Sequence, residues 1–239
     1  MLEHAGSMYP PEQVIECLVP HISERRIRRM ESVLAHRLTS LALGIEDLHH
    51  SHNGAACIRT SEALGVQDIV AIENRLNFPE KAERSATRSG VTMYSDRWID
   101  LHRVSGSDSL LDWARSRDMR IVGTSPHARL TLDELPVDKP LMVLFGNERD
   151  GLREETSKAC DQVFQIPMFG FTESFNISVS AGMILSRLTE RVRARLAEEG
   201  RTGDMPVLRQ RHLFARWCLA TVRRSDLILK RSLGDSVSE

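Results

Sequence analysis

The residues best suited to chemistry lie between Leu141 and Met183. An apolar run leads into Gly146-Asn147-Glu148 and Gly151. A second, Val163 to Met168, leads through a Gly-containing loop to Ser174-Phe175-Asn176. Glycine lets backbone approach a ligand closely, while Glu148, Ser174 and Asn176 offer a carboxylate, a hydroxyl and an amide that can orient polar groups. Two such strand exits describe a ligand pocket at the carboxyl edge of a parallel sheet. Plainer roles exist: Glu148 as a solvated turn carboxylate, and either Ser174 or Asn176, though not both, as a helix N-cap. Behind them, Ser178, Ser180, Ala181 and Gly182 make a helix start of small side chains, which permits close approach by backbone or a ligand. Upstream, Asn53 and Arg59 offer an amide and a cation. Six helical residues turn them about 240° apart, so they converge only if Asn53 caps a helix and Arg59 reaches back. An Asn53 cap with a separate Arg59–Glu62 pair is the simpler explanation.

Several chemistries lose their support. No glycines are spaced G-x-G and no G-x-x-x-x-G-K-[ST] occurs, which removes the dinucleotide fingerprint and the P-loop. The cluster His49-His50-Ser51-His52 has no matching Cys or carboxylate set nearby, so loop histidines are a better reading than a metal site. Cys17, Cys57, Cys160 and Cys218 are scattered, which fits reduced thiols in the cytoplasm. No apolar run approaches the ~18 residues of a membrane span, and the N-terminus lacks a signal peptide's pattern.

The elements that must position these residues follow from periodicity. The chain has 239 residues, 41% of them hydrophobic and 27% charged, as in ordinary globular proteins. Residues 1–20, with Pro10, Pro11 and Pro20, read as a loosely held leader. From Ser23, Ile27, Met30, Val33, Leu34 and Leu38 recur at helical spacing, with arginines opposite. Strands are expected at Leu41–Leu48, Asp68–Glu73, Trp98–Val104, Arg120–Thr124, and in the two runs already named. A helix capped by Asn53 should end at Gly65. Further helices are expected at Ser109–Arg117, Glu154–Cys160, Ser174–Ala197 and Val207–Ser232, with an irregular connection over 74–97. Alternating strands and helices predict an α/β fold with a mainly parallel sheet flanked by helices. The divisions are 1–37, a leader and basic helix; 38–198, the core; and 199–239, a basic helical extension. The net charge is only -1, but Arg25, Arg26, Arg28 and Arg29 cluster at one end, and Arg223 and Arg224 at the other. Solvated helix faces or an RNA-binding surface would explain them.

Three ordered motifs carry a resemblance. The first is His52-Asn53 through Ile58-Arg59-Thr60 with Ala63-Leu64-Gly65-Val66. The second is Leu144-Phe145-Gly146-Asn147-Glu148 with Gly151-Leu152. The third is Ile166-Pro167-Met168 through Gly170 to Ser174-Phe175-Asn176-Ile177-Ser178-Val179-Ser180-Ala181. Over roughly residues 23–198 the chain resembles the SpoU branch of the SPOUT RNA methyltransferases, most of all the TrmH type, the tRNA guanosine-2'-O-methyltransferases.

That resemblance implies a deep C-terminal trefoil knot and S-adenosylmethionine held bent in it, largely by backbone groups at Thr124, Leu144, Gly146, Ile166, Met168 and Phe175. Phe175 stands where Leu is commoner. It implies a homodimer with a shared active site, in which Arg59 activates the ribose hydroxyl while Asn53, Glu148, Ser174 and Asn176 position it. It also implies tRNA as substrate, methylated at the D-loop guanosine (position eighteen), with the terminal arginines clamping RNA. The alternatives are ribosomal RNA as substrate and a knotted RNA-binding protein without catalysis.

Overall fold

The computed structural model describes residues 1–72 and 95–233. Its chain divides into two compact units. Leu38–Arg201 form one, and Met1–Arg37 with the segment from Thr202 onward form the other.

In the larger unit, strands and helices alternate in chain order. They are β3 (Leu38–Glu46), α3 (Ser51–Leu64), β4 (Val66–Ile72), β5 (Asp100–Val104), α4 (Ser107–Arg115), β6 (Arg120–Thr124), β7 (Leu130–Thr131), β8 (Leu141–Phe145), α5 (Glu154–Ala159), β9 (Gln162–Gln165) and α6 (Ile177–Glu198). They build a seven-stranded sheet of order β5-β4-β3-β8-β6-β9-β7, with each neighbouring pair parallel. Alternation along the central strands sorts side chains to two faces. Leu41, Leu43 and Ile45 of β3 join Leu141, Val143 and Phe145 of β8 in a core with Cys57 and Ile58 of α3 and Ile184, Leu185 and Leu188 of α6. The opposite residues, Ala42 of β3 with Met142 and Leu144 of β8, pack with Leu110, Leu111 and Ala114 of α4. A Cβ on Gly44 would collide with the Leu144 side chain, so that small residue is required by the neighbouring strand. The chain runs outward from β3 through β4 and β5, then resumes on the other side, where β8 lies between β3 and β6. Strand exits converge where the direction reverses, which is the usual place for a ligand in an open α/β sheet.

The smaller unit contains a hairpin of β1 (Leu2–His4) and β2 (Ser7–Tyr9), turned at Ala5 and Gly6, both at positive φ. It also has α1 (Pro11–Leu18), α2 (Glu24–Ala35), α7 (Val207–Thr221) and α8 (Ser225–Leu233). Residues 1–20 are therefore not a loose leader, because Val14 and Leu18 are fully buried and α1 packs on α7 and α8. The expected single helix over Val207–Ser232 is two helices. Arg224 takes φ 56°, and buried Ser225 bonds His4 Nε2 at 3.1 Å. Neither Gly nor Pro marks that break. A Cβ on Gly203 would press on the backbone of Ala35 and Arg37, which explains the glycine.

Boundaries elsewhere shift by a few residues, and β1, β2 and β7 are too short to show a periodicity. Glu73 and most of the expected 74–97 connection lie outside the described residues. Ser95–Arg97 form a 3₁₀ turn, and β5 starts at Asp100 rather than Trp98.

Candidate functional site

The loop after β8 is folded by its own sequence. Asn147 and Gly151 exchange two backbone hydrogen bonds, 3.0 and 3.1 Å. The Asn147 side-chain oxygen accepts from the amides of Arg149 at 2.9 Å and Asp150 at 2.7 Å, the turn-forming habit of asparagine. Gly151 sits at φ 70°. A Cβ on Gly146 would strike the backbone of Gly151 and Leu152, so only glycine lets the loop close on its own start.

This turn presents Glu148 to the exit of β3. Its Oε2 accepts from the His49 amide at 2.8 Å and its Oε1 from Asn53 Nδ2 at 2.7 Å. Asn53 Oδ1 in turn accepts from Asn176 Nδ2 at 3.3 Å. Asn176 Oδ1 accepts from the amide of Ser178 at 2.8 Å and from its hydroxyl at 2.6 Å. A hydrogen-bonded line thus ties together the exits of β3 and β8 and the start of α6. Burial pushes the Glu148 carboxyl up, but the His49 and Asn53 donors outweigh it and hold it below the ordinary carboxylate range. Glu148 is consequently an ionised anchor at neutral pH rather than a proton donor. The neighbouring Cys57 thiol is driven to about 12 by burial and by Glu148, which excludes it as a nucleophile.

Asn53 does not cap α3, as its sequence context suggests. His50 holds the N-cap position and Asn53 sits in the first turn, 7% exposed, with its amide committed to Glu148 and Asn176. Asn176 is the N-cap of α6, so the helix starts at Ile177 rather than Ser174. Asn176 nonetheless does more than cap, because its nitrogen reaches Asn53.

Beside this line lies a cleft of about 490 Å³. It is lined by the exits of β6 at Thr124, of β8 at Gly146 and Glu148, and of β9 at Ile166 and Met168, together with Ser174, Phe175 and Asn176. Leu144 is not part of the lining. Its side chain is buried on the α4 face, and its carbonyl accepts from Thr124 Oγ1 at 3.1 Å. Asn53 also stands behind the wall rather than in it. Sequence reasoning missed Ser125 and His127, which also line the cleft, and the His49 amide. A backbone donor has no side-chain signature that could have revealed it. Of the small residues opening α6, Ala181 is fully buried, while a Cβ on Gly182 would meet no atom of the described chain within 4 Å. The chain's own packing therefore accounts for Ala181 and not for Gly182.

Arg59 is not brought to this line. It is exposed on α3 and makes no hydrogen bond or ion pair to a described residue. In the smaller unit, Arg25, Arg28 and Arg29 are exposed on α2, with Arg28 3.6 Å from Glu24, and Arg26 is half-buried. Arg223 and Arg224 are exposed just before α8. Among the described residues no group of His, Cys, Asp and Glu could hold a metal ion, and no helix is long and apolar enough to cross a membrane.

Residues 40–186 match the family model described as the SpoU rRNA Methylase family. A tRNA (guanosine(18)-2'-O)-methyltransferase of Borreliella burgdorferi is 33% identical over 75% of this chain and 79% of its own length. A 23S rRNA (guanosine-2'-O-)-methyltransferase of Vibrio parahaemolyticus is 32% identical over 70% of this chain and 65% of its own. The crystal structure of the A. aeolicus TrmH/SpoU tRNA modifying enzyme superposes with a TM-score of 0.71 at 25% identity, covering 84% of this chain and 98% of that one. By the match over residues 40–186 and by these relatives, the chain belongs to the SpoU rRNA Methylase family of RNA methyltransferases.

Proposed function

We propose that this protein methylates the ribose 2'-hydroxyl of a tRNA guanosine, the D-loop guanosine at position eighteen, using S-adenosylmethionine bound in the 490 Å³ cleft. The observation that carries the reading is the convergence of the three motifs on one place, with Gly146 and the β6 and β9 exits walling the cleft and the Glu148–Asn53–Asn176 line at its side. The volume suits a small-molecule cofactor, and Gly146 and Gly151 put two residues without side chains in the wall, as a site relying on backbone groups requires. The bound cofactor supplies an already activated methyl group on a sulfonium. The chain's task is to place the ribose oxygen in line with it and ease loss of the hydroxyl proton.

Asn53 and Glu148 fix Asn176 at the edge of the cleft, and Ser174 adds a hydroxyl there. Arg59 clamps a substrate phosphate and stabilises the developing alkoxide, while phosphate or water takes the proton, since a guanidinium is fully protonated at neutral pH and cannot accept one. Its exposure and lack of contact with the line in its own subunit support delivery from the partner of a homodimer. So does an exposed apolar stripe on α6, Val179 and Met183 spaced by four residues beside the open face of Gly182, with exposed Phe175 just before the helix. We include the trefoil knot in the reading. It is supported by the small residues of α6 and by Arg191 and Arg195, which hold the carbonyls of Leu132, Leu135 and Val137 against that helix. The exposed Arg25, Arg28, Arg29, Arg223 and Arg224, with Arg26, form the RNA clamp, and a cytoplasmic location goes with that substrate.

Ribosomal RNA is the second reading, favoured by the similar identity of the rRNA-methylating relative. Coverage of 98% of the tRNA modifying enzyme, flanks included, supports tRNA. The deciding experiment incubates the protein with labelled S-adenosylmethionine and total RNA and maps the methylated nucleotide. Label in the tRNA fraction at the D-loop guanosine is expected. Label confined to ribosomal RNA, or none, overturns the reading.

A further inference from the structure

The last residue of β3 breaks the rule of its face. Ala42 and Gly44 pack among apolar neighbours under α4, and the next residue of that face is Glu46, 1% exposed. Asp47 follows, 3% exposed and at φ 55°, a conformation that side chains seldom adopt. Two adjacent buried carboxylates are costly unless matched by donors and a counter-charge. Here Glu46 is matched by three donors, and Asp47 by the Arg153 counter-charge on one of its two oxygens. Glu46 Oε1 accepts from the hydroxyls of Ser107 and Thr156, each at 2.6 Å, and its Oε2 from the Arg153 amide at 3.0 Å. Arg153 Nη2 donates to Asp47 Oδ2 at 3.1 Å, and its Nε lies 3.9 Å from Glu46.

Arg153 is the N-cap residue of α5 and the first residue after the 146–152 loop. That loop leaves the sheet at Phe145, which is paired with Ile45, so both of its ends are fixed to the end of β3. Its middle is held by Glu148 to His49 and Asn53, a few residues further along the same exit. None of Glu46, Asp47 and Arg153 lines the cleft, whereas every residue from Gly146 to Leu152 does. Closing a strand and starting a six-residue helix do not call for two buried acids; holding one wall of a binding cleft at a set distance does.

We infer that Glu46 and Asp47, acting through Arg153, are positioning residues that set the shape of the 146–152 wall and thereby the affinity for S-adenosylmethionine. This rests on the assignment of the cleft to that cofactor. The pair acts at the ends of the loop, while the bonds of Glu148 to His49 and Asn53 hold the loop's middle and with it the ribose side of the site.

The test uses the full chain with Arg153→Ala, Arg153→Lys and Asp47→Asn, circular dichroism to confirm folding, calorimetric titration with S-adenosylmethionine, and steady-state transfer to tRNA. Arg153→Ala and Asp47→Asn are expected to raise the cofactor Kd and KM roughly tenfold, with kcat at saturating cofactor within about twofold of the parent. Arg153→Lys, which restores the charge without the planar fork, should recover part of the loss. Folded variants with unchanged cofactor Kd, or with lowered kcat and unchanged KM, overturn the inference and leave the group a purely structural anchor. Should Arg153→Ala fail to fold, Asp47→Asn, which keeps the side-chain shape, carries the same decision. An unmodified protein that binds no S-adenosylmethionine overturns the cofactor assignment and the inference with it.

Discussion

Asn53→Ala cuts the line between Glu148 and Asn176 at its middle. The Asn53–Glu148 bond is 2.7 Å and involves a charged acceptor, worth about 1.5–3 kcal/mol when buried. Glu148 is partly exposed, so the lower figure applies. The 3.3 Å bond from Asn176 adds about 0.5 kcal/mol, for a total near 2 kcal/mol. In a protein of this size that lowers Tm by about 4–8 °C, leaving a folded molecule. Glu148 and Asn176 then lose their shared partner while the cleft keeps its lining, because Asn53 stands behind the wall. A displacement on the order of 1 Å at positioning groups reduces turnover by up to about 100-fold, so kcat should fall about 10–100-fold. The cofactor Kd should stay within about threefold.

Melting adds a pH signature. The Glu148 carboxyl titrates below its ordinary 4.5 in the folded chain, partly through Asn53. A depressed carboxyl pKa contributes stability that is present above the unfolded value and is lost as pH falls through the folded one. The Tm gap between parent and Asn53→Ala should therefore be full at pH 7 and narrow below about pH 4. Single-turnover methyl transfer, titration calorimetry and melting at both pH values test this together. Equal losses in cofactor affinity and turnover, or a folded variant as active as the parent, would refute the assignment of Asn53 to substrate positioning.

Gly146→Ala forces a Cβ into the backbone of Gly151 and Leu152; opening the loop should cost about 1–3 kcal/mol and abolish measurable cofactor binding in a chain that circular dichroism shows folded. Arg59→Ala should lose at least about 100-fold in kcat, and Arg59→Lys should recover little. A flat pH–rate profile above neutrality with Arg59→Lys fully active contradicts the proposed role. Replacing Val179 and Met183 with Asp should yield monomers by light scattering and suppress transfer, whereas an unchanged mass shows that the stripe is not the interface. Substituting Arg25, Arg29, Arg223 and Arg224 with Ala should flatten the salt dependence of tRNA binding by about 0.7–0.9 in log–log slope for each phosphate no longer neutralised; affinity of the parent that is insensitive to salt argues against the clamp.

Much of the larger unit was legible because its strands are continuous apolar runs and its helices end at clear signals such as Gly65, which caps α3 at φ 82°. Element type was clear where burial dominates, as at Arg120–Thr124. It was obscure where the signal is a single turn, as at β7, or where tertiary packing overrides local pattern, as at Arg224. The leader failed for a related reason. Three prolines hid a short helix whose Val14 and Leu18 are buried by chain from the opposite end of the sequence. At the site, Gly146, Glu148 and Asn176 were visible because they sit at strand and helix ends, where such residue types stand out. Leu144 was assigned a backbone role by resemblance, and the fold turns its side chain onto the α4 face.

Residue order alone determined the α/β class, the two glycine-bearing exits and the candidates for chemistry, since these depend on periodicity and on what each side chain can do. The tertiary structure decided which of them meet. It took Asn53 from the cap its neighbours suggest and placed it between Glu148 and Asn176, and it left Arg59 on an open face. It also set two buried acids behind the loop that closes the cleft. Those facts depend on which strands lie side by side, and β3 and β8 are separated by almost a hundred residues of chain before the sheet joins them.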